Sequence, residues 1–216
     1  MTAHIRLASP DDAEQIAAIY APFCTDTAVS FETAAPSPEE MAQRIRKITD
    51  CFPWLVLEED GRIAGYVYAS AHRERAAYGW SVDVTAYVAA EYRRHGVGRA
   101  LYTALFGILA AQGYFKAYAG VTLPNPGSVG LHEAAGFECV GEYRGVGYKL
   151  DAWHDVRWYQ RAIQPERARP DPPLPLAAIR ETGAWRAALA GGLALFRAAG
   201  ARLETSAETN SLKSKD

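Results

Sequence analysis

Two features of this 216-residue chain have the residue types and spacing for chemistry. The first is the run Arg93-Arg94-His95-Gly96-Val97-Gly98-Arg99. Before it, residues 80–88 alternate apolar and polar like a strand; after it, Leu101, Leu105, Ile108 and Leu109 follow helical spacing. Glycines let successive backbone N–H groups converge on an anion, and the start of a helix adds positive dipole charge. A basic, two-glycine turn at that junction is suited to holding phosphate. The second feature is Asp83, in the strand that leads into the turn. Trp80, Val82, Val84, Ala86 and Val88 share one face of that strand, and Ser81, Asp83, Thr85 and Tyr87 share the other. A carboxylate on a central strand loses solvation unless it is paired. Asp83 therefore either hydrogen-bonds nearby backbone or arginines, or faces an acceptor and takes its proton.

The elements around these residues follow from pattern. Ile5 and Leu7 mark a first strand. Ser9-Pro10-Asp11-Asp12 opens a helix with Ile16, Ile19 and Tyr20 on one face, and Ser37-Pro38-Glu39-Glu40 opens another with Met41, Ile45 and Ile48. Residues 54–57 and 63–69 flank a hairpin turn at Glu59-Asp60-Gly61-Arg62. The strand at 80–88, the glycine turn and a helix over 97–112 come next, then a strand at 116–121. Asn125-Pro126 caps a helix that ends at Gly136, and 137–143 and 155–162 are the last strands. The order β-α-α-β-β-β-α-β-α-β-β describes a mixed α/β layer fold around one sheet. Five prolines between 165 and 175 mark a stiff linker. Residues 181–201 have helical spacing, and the polar end, 204–216, is expected to be disordered. The chain thus divides into a domain at 1–163 and a loosely attached extension at 164–216.

Composition removes several function classes. A net charge of −2 argues against nucleic-acid binding. No apolar run reaches the ~18 residues that span a bilayer, so no membrane partner is expected. The first residues lack a basic region followed by an apolar block, and Cys24, Cys51 and Cys139 are odd in number and far apart. A cytoplasmic protein with reduced thiols is expected. His72, His95 and His154 have no metal spacing with an acid or cysteine, so no metal is assigned.

The turn discriminates among phosphate ligands. A dinucleotide fingerprint needs a third glycine where Leu101 stands, and a nucleoside-triphosphatase loop needs a Gly-Lys-Ser/Thr ending that is absent. What stands is Arg93-x-x-Gly96-x-Gly98. It resembles the pyrophosphate loop of the GCN5-related N-acetyltransferase (GNAT) superfamily. The segment from Asn125 through Ser128 and His132 to Phe137 resembles that superfamily's next motif. The likeness covers about residues 3 to 163. It implies a mixed, mostly antiparallel central sheet with helices on both faces, and acetyl-CoA as co-substrate. Arg94, Gly96, Val97, Gly98 and Arg99 would hold the pyrophosphate. Tyr87 and Val88 would present backbone N–H groups to the thioester carbonyl. Asn125, with Ser128 after it, would lie by the pantetheine arm, unless it is a plain helix cap. His132 stands where the superfamily often has a thiolate-protonating tyrosine.

Several segments resemble the phosphinothricin N-acetyltransferase family in particular. They are Ile19-Tyr20-Ala21-Pro22, Val29-Ser30-Phe31-Glu32, Tyr66-Val67-Tyr68-Ala69, residues 78–88, Gly147-Tyr148-Lys149 and Trp153-His154-Asp155-Val156. That family acetylates the α-amino group of glutamate-like antimetabolites such as phosphinothricin, with relatives acting on methionine sulfoximine or arsinothricin. It confers resistance to them and is generally homodimeric. Its catalytic carboxylate is most often Glu; here Asp83, one methylene shorter, favours proton transfer through a water. Arg73 matches the substrate-binding loop and Arg75 is a second anchor, since guanidinium binds oxyanions bidentately. Phe31, Tyr78 and Lys149 are expected to line the site. The competing expectations are an N-acetyltransferase for ordinary amino acids or protein N-termini, and a non-catalytic acetyl-CoA-binding regulator.

Overall fold

The computed structural model describes the backbone of residues 2–213 and the side chains of residues 2–199. Strand β1 (Ala3–Leu7) leads into helices α1 (Ala13–Thr25) and α2 (Pro38–Thr49). Strands β2 (Trp54–Glu59), β3 (Arg62–Ala71) and β4 (Ser81–Val88) follow, then α3 (Val97–Gln112), β5 (Lys116–Thr122) and α4 (Pro126–Ala134). The hairpin β6 (Glu138–Lys149) and β7 (Ala152–Ala162) precedes a short α5 (Leu176–Ile179) and a long α6 (Gly183–Lys213). The seven strands form one sheet in the order β1-β2-β3-β4-β5-β7-β6. Every pairing is antiparallel except β4 with β5. The mixed, mostly antiparallel sheet with helices on both faces is thus observed.

Local chemistry sets these elements. Ser37 and Glu40 form a reciprocal capping box at the start of α2, the Ser37 N–H donating to Glu40 Oε2 at 2.7 Å and the Glu40 N–H donating to Ser37 Oγ at 3.2 Å. Arg6 clamps Asp12 bidentately at 2.7 Å and also reaches Glu58, tying β1 to the start of α1 and to β2. Asp60 and Gly61 both have positive φ, as the β2–β3 hairpin turn requires. One sheet face packs α1 and α2 on Trp54, Val56, Ile63 and Tyr66. The other packs α3 on Leu55, Leu57, Val67, Val82 and Val84.

β4 and β5 pair only from Ser81–Asp83 to Lys116–Tyr118. β4 stays on β3 as far as Val88, and β5 stays on β7 as far as Thr122. The two strands therefore part just after Asp83. Beyond that point the facing edges of β4 and β5 are not hydrogen-bonded to one another, and main-chain donors and acceptors there are open to a ligand.

Two expectations need correction. The last hairpin is longer than 137–143 and 155–162. Gly141, Gly145 and Gly147 interrupt the apolar alternation of β6, and the ladder absorbs them with register shifts between Cys139 and Gly141 and between Tyr143 and Gly147. The extension beyond 163 is not loosely attached either. The Trp80 indole N–H donates to the Asp171 carbonyl at 2.8 Å, and the Leu174 N–H donates to the Gln112 carbonyl at 2.7 Å. Leu176, Ile179, Trp185 and Phe196 are buried in the same core as α3. α6 lies along α3 through small residues: a Cβ on Gly107 would stand 2.7 Å from that of Ala188, and one on Gly192 would stand 3.0 Å from that of Ala104. Burial in the linker and the helix supplies the ordering free energy that composition alone did not suggest. The helix runs to Lys213, past the point where disorder was expected to begin. Residues 214–216 of that expectation lie outside the described residues.

Candidate active site

The glycine turn has the expected backbone. Arg94 has φ +70° and Gly96 has φ +84°, both left-handed. Gly96 is the N-cap of α3 and has no side chain to cap it. The first amide of α3 with a backbone partner is Ala100, bonded to the Gly96 carbonyl at 3.0 Å. The N–H groups of Val97, Gly98 and Arg99 are thus left to an external acceptor. Arg94 and Arg99 are exposed beside them. Arg93 turns away, its guanidinium 5.3 Å above the Phe23 ring. Gly98 lies against α4, where a Cβ would meet Leu131 at 2.8 Å. Gly96 lies against α6, where a Cβ would meet that of Ala199 at 2.8 Å.

Tyr87 and Val88 end β4 beside the parted edge. The Asn125 side-chain oxygen accepts from the Ser128 N–H at 3.1 Å, which makes Asn125 the cap of α4 and leaves its amide N–H groups available. A coenzyme with a pyrophosphate and an amide-bearing arm fits this set. The turn supplies left-handed backbone and free amides, and the parted strands supply edge groups for the arm. A cavity of about 340 Å³ lies nearby between α3, the end of α4 and α6, with Arg99, Thr103, Gly136, Arg161 and Leu195 among its lining.

His132 conflicts with the proton-donor expectation. It is 6% exposed. Its Nδ1 lies 2.7 Å from the Ser128 carbonyl, which only accepts, so Nδ1 carries the proton. Nε2 then accepts from the Tyr102 hydroxyl at 3.0 Å. Burial lowers its pKa, against a smaller opposing effect of the Ser128 bond. A neutral imidazole with both nitrogens engaged joins α3 to α4 and has no proton to give a thiolate.

Asp83 is the centre of a second cluster of polar and aromatic side chains. It lies on the sheet face opposite Val82 and Val84, its side chain 28% exposed. Its Oδ1 is 2.7 Å from Nδ1 of His72 at the end of β3. The His72 ring stacks on Tyr118 at 4.3 Å, with Tyr78 edge-on at 5.7 Å. Burial raises the Asp83 pKa, while the His72 hydrogen bond and the nearby Arg73 charge pull it down. Arg73 donates to the His72 carbonyl at 2.9 Å and sits 5.9 Å from the Trp158 ring centroid. Arg75 is exposed in the same turn. The structure therefore brings Asp83, Arg73 and Tyr78 together, and adds His72, Tyr118 and Trp158, which the sequence did not single out as site residues. The β3–β4 register, with Ser70 opposite Asp83, carries His72 toward the carboxylate. A histidine two residues past the partner of a half-buried acid was the available signal.

Lys149 needs a second correction. Its Nζ donates to the carbonyls of Ser30 at 2.6 Å, Glu32 at 2.8 Å and Phe23 at 3.4 Å. An ammonium has three donors, so none is left for a ligand. Lys149 instead fixes the loop at 26–37. Thr122 Oγ1, donating to the Val29 carbonyl at 3.4 Å, and the Glu32–Arg44 ion pair at 2.7 Å hold the same loop. Phe31 packs its ring on Gly147, where a Cβ would overlap it. Tyr118, Gly120 and Thr122 share the face of Asp83, so this loop crosses the Asp83 side of the sheet.

Residues 5–158 match the acetyltransferase (GNAT) domain family. The chain belongs to the GNAT acetyltransferase family. It is an acetyl-CoA-dependent N-acetyltransferase in class. It is 37% identical over 177 residues to a phosphinothricin N-acetyltransferase of Streptomyces viridochromogenes, across 82% of this chain and 94% of that one. It is 31% identical to an L-methionine sulfoximine/L-methionine sulfone acetyltransferase of Pseudomonas paraeruginosa, across 79% of this chain and all of the other. The crystal structure of a phosphinothricin acetyltransferase from Sinorhizobium meliloti in complex with acetyl-CoA superposes with a TM-score of 0.74 at 35% identity. That superposition covers 80% of this chain and 94% of the other. The family match stops at residue 158, so α5 and α6 lie beyond it.

Proposed function

We propose that the enzyme acetylates the α-amino group of a glutamate-like antimetabolite: phosphinothricin, arsinothricin or methionine sulfoximine. Such activity confers resistance to the compound. The observation that carries this is Asp83 at the point where β4 and β5 part, beside Arg73. The carboxylate end of the site meets the ammonium, and the guanidinium meets the substrate's carboxylate or oxyanion. Arg75 is the second anchor, and Tyr78 and Phe31 supply apolar walls. The loop at 26–37, fixed by Lys149, favours a small acceptor over a peptide laid in an open groove.

Acetyl-CoA supplies the activated acetyl thioester. Val97, Gly98 and Arg99 offer amides to its pyrophosphate, with Arg94 and Arg99 adding charge. The cavity beside Arg99 and Arg161 suits the phosphorylated adenosine end. Tyr87 and Val88 offer main-chain N–H groups at the thioester carbonyl. The acceptor must lose a proton before it attacks, because only the neutral amine has a free lone pair; that proton leaves at the Asp83 end of the site.

The enzyme is a cytoplasmic homodimer in this reading. Free Cys24, Cys51 and Cys139 suit a reducing compartment. Tyr143, Val146, Tyr148 and Trp153 are half exposed or more on the β6–β7 hairpin, and β6 is the free edge of the sheet. Light scattering reads the oligomeric state directly.

The test is product identity. Incubation with acetyl-CoA and phosphinothricin should give a product carrying one acetyl group on the α-nitrogen, identified by mass spectrometry and NMR. Acetylation elsewhere, or none at millimolar acceptor, overturns the assignment.

A further inference from the structure

We propose that His72 is the catalytic base, and that Asp83 is the carboxylate that orients it. The inference rests on the N-acetyltransferase reading and names the atom that takes the proton. An ionised carboxylate only accepts hydrogen bonds, so the 2.7 Å contact between Asp83 Oδ1 and His72 Nδ1 puts the proton on Nδ1. Nε2 then carries the lone pair. No protein group bonds it among the described residues. The ring is held rather than free: it stacks on Tyr118 at 18° between planes, and Tyr78 meets it edge-on. The His72 side chain is 12% exposed, so the imidazole is largely shielded yet still reachable.

The groups that face His72 are Asp83 from β4, Tyr118 from β5 and Tyr78 from the turn before β4. Arg73 is adjacent, but its guanidinium lies toward Trp158. The nearest charge is therefore a carboxylate, opposite in sign to the imidazolium formed when Nε2 takes a proton. Asp83 alone is a short side chain, with Oδ1 engaged by His72. The imidazole carries basicity outward from the strand to an atom that no protein group occupies.

An N–H proton of the acceptor ammonium passes to Nε2. The freed nitrogen lone pair forms a bond to the acetyl carbonyl carbon. The carbon–sulfur bond breaks and the sulfur leaves with its electron pair. The nitrogen loses its second proton to that thiolate, giving an amide and a free thiol. The imidazolium returns its proton to water.

The experiment compares wild type, His72→Gln, Asp83→Asn, the double variant, and His72→Ala combined with Asp83→Glu. Acetyl-CoA affinity by calorimetry reports folding and the donor site, and thiol release reports turnover across pH. His72→Gln should cut kcat by ~10²-fold and abolish the acidic limb of the kcat/KM profile, with acetyl-CoA affinity unchanged. The double variant should be no worse than the poorer single one, since the two act as a unit. His72→Ala combined with Asp83→Glu should recover part of the rate lost in His72→Gln, because the longer carboxylate reaches into the vacated space. Wild-type rates and an unchanged acidic limb in His72→Gln would overturn the proposal and leave Asp83 as the base. Long-range proton–nitrogen NMR of the wild-type imidazole gives a readout that does not depend on turnover. Nδ1–H with a bare Nε2 supports the dyad; a proton on Nε2 with a bare Nδ1 overturns it. A wild type inert toward every acceptor but with the supporting tautomer counts against the substrate reading and not against the dyad.

Discussion

In the proposed reading, the donor end of this enzyme is made of backbone, and the acceptor end is made of side chains. At the donor end, Arg94 and Gly96 hold positive φ, and the amides of Val97, Gly98 and Arg99 point outward from the start of one helix. These residues are consecutive. At the proposed acceptor end, Asp83 comes from β4, His72 and Arg73 from the turn just past β3, Tyr118 from β5 and Trp158 from β7. Only the sheet register brings them together. A site built from consecutive amides binds any ligand with the right phosphate, whereas a site built from dispersed side chains fixes which amine reacts. The two ends should therefore fail differently when altered.

The largest expected effect is at the acceptor end. Asp83→Asn should lower kcat by ~10²-fold or more while acetyl-CoA affinity, read by calorimetry, stays within a few-fold. Equal loss of both would break the division between the ends. Lys149→Met should cost about 2–3 kcal/mol of stability, because three carbonyls lose a charged donor, and should raise the acceptor KM more than the donor KM. Thermal unfolding and steady-state kinetics check the two halves of that expectation. Arg73→Ala should raise the acceptor KM ~10-fold with kcat little changed, the result for an anchor that holds ground state and transition state alike. Gly96→Ala should act at the other end, raising the acetyl-CoA KM several-fold. A left-handed residue with a Cβ costs about 1–2 kcal/mol, and that Cβ would crowd Ala199.

The smallest effect is at His132, which belongs to neither end as a reactive group. Its folded-state pKa lies below the ordinary 6.5 because of burial. Below about 6.5 the unfolded chain binds a proton that the folded chain does not, so stability falls as the medium is acidified through and below that value. Replacement by Asn should remove that part of the slope in denaturation series at pH 5 and pH 7.

Legibility followed the same division. The glycine turn, the helix after it and the α2 capping box depend on residues close in sequence, and their types and spacing marked them. The alternation of residues 80–88 placed Asp83 on the face opposite Val82 and Val84, as observed. The sequence does not mark His72 as a site residue, because a histidine and an acid eleven residues apart have no local signature; the β3–β4 register pairs them. Motif position alone suggests Lys149 as a residue lining the acceptor site and His132 as a thiolate-protonating acid. Burial and three carbonyls in one case, and Tyr102 and Ser128 in the other, satisfy them inside the fold. The attachment of α6 was hidden for another reason. Its contact with α3 runs through alanines and glycines, and small residues give little hydrophobic periodicity even where backbones approach closely.

The most direct test of the account is thiol release from acetyl-CoA with a panel of acceptors. The panel is phosphinothricin, arsinothricin, methionine sulfoximine, glutamate and a short peptide with a free N-terminus. The account predicts turnover with the glutamate-like antimetabolites, and kcat/KM for at least one of them well above that for glutamate or the peptide. Preference for the peptide or for glutamate, or no turnover with any of them by a protein that binds acetyl-CoA, would contradict it.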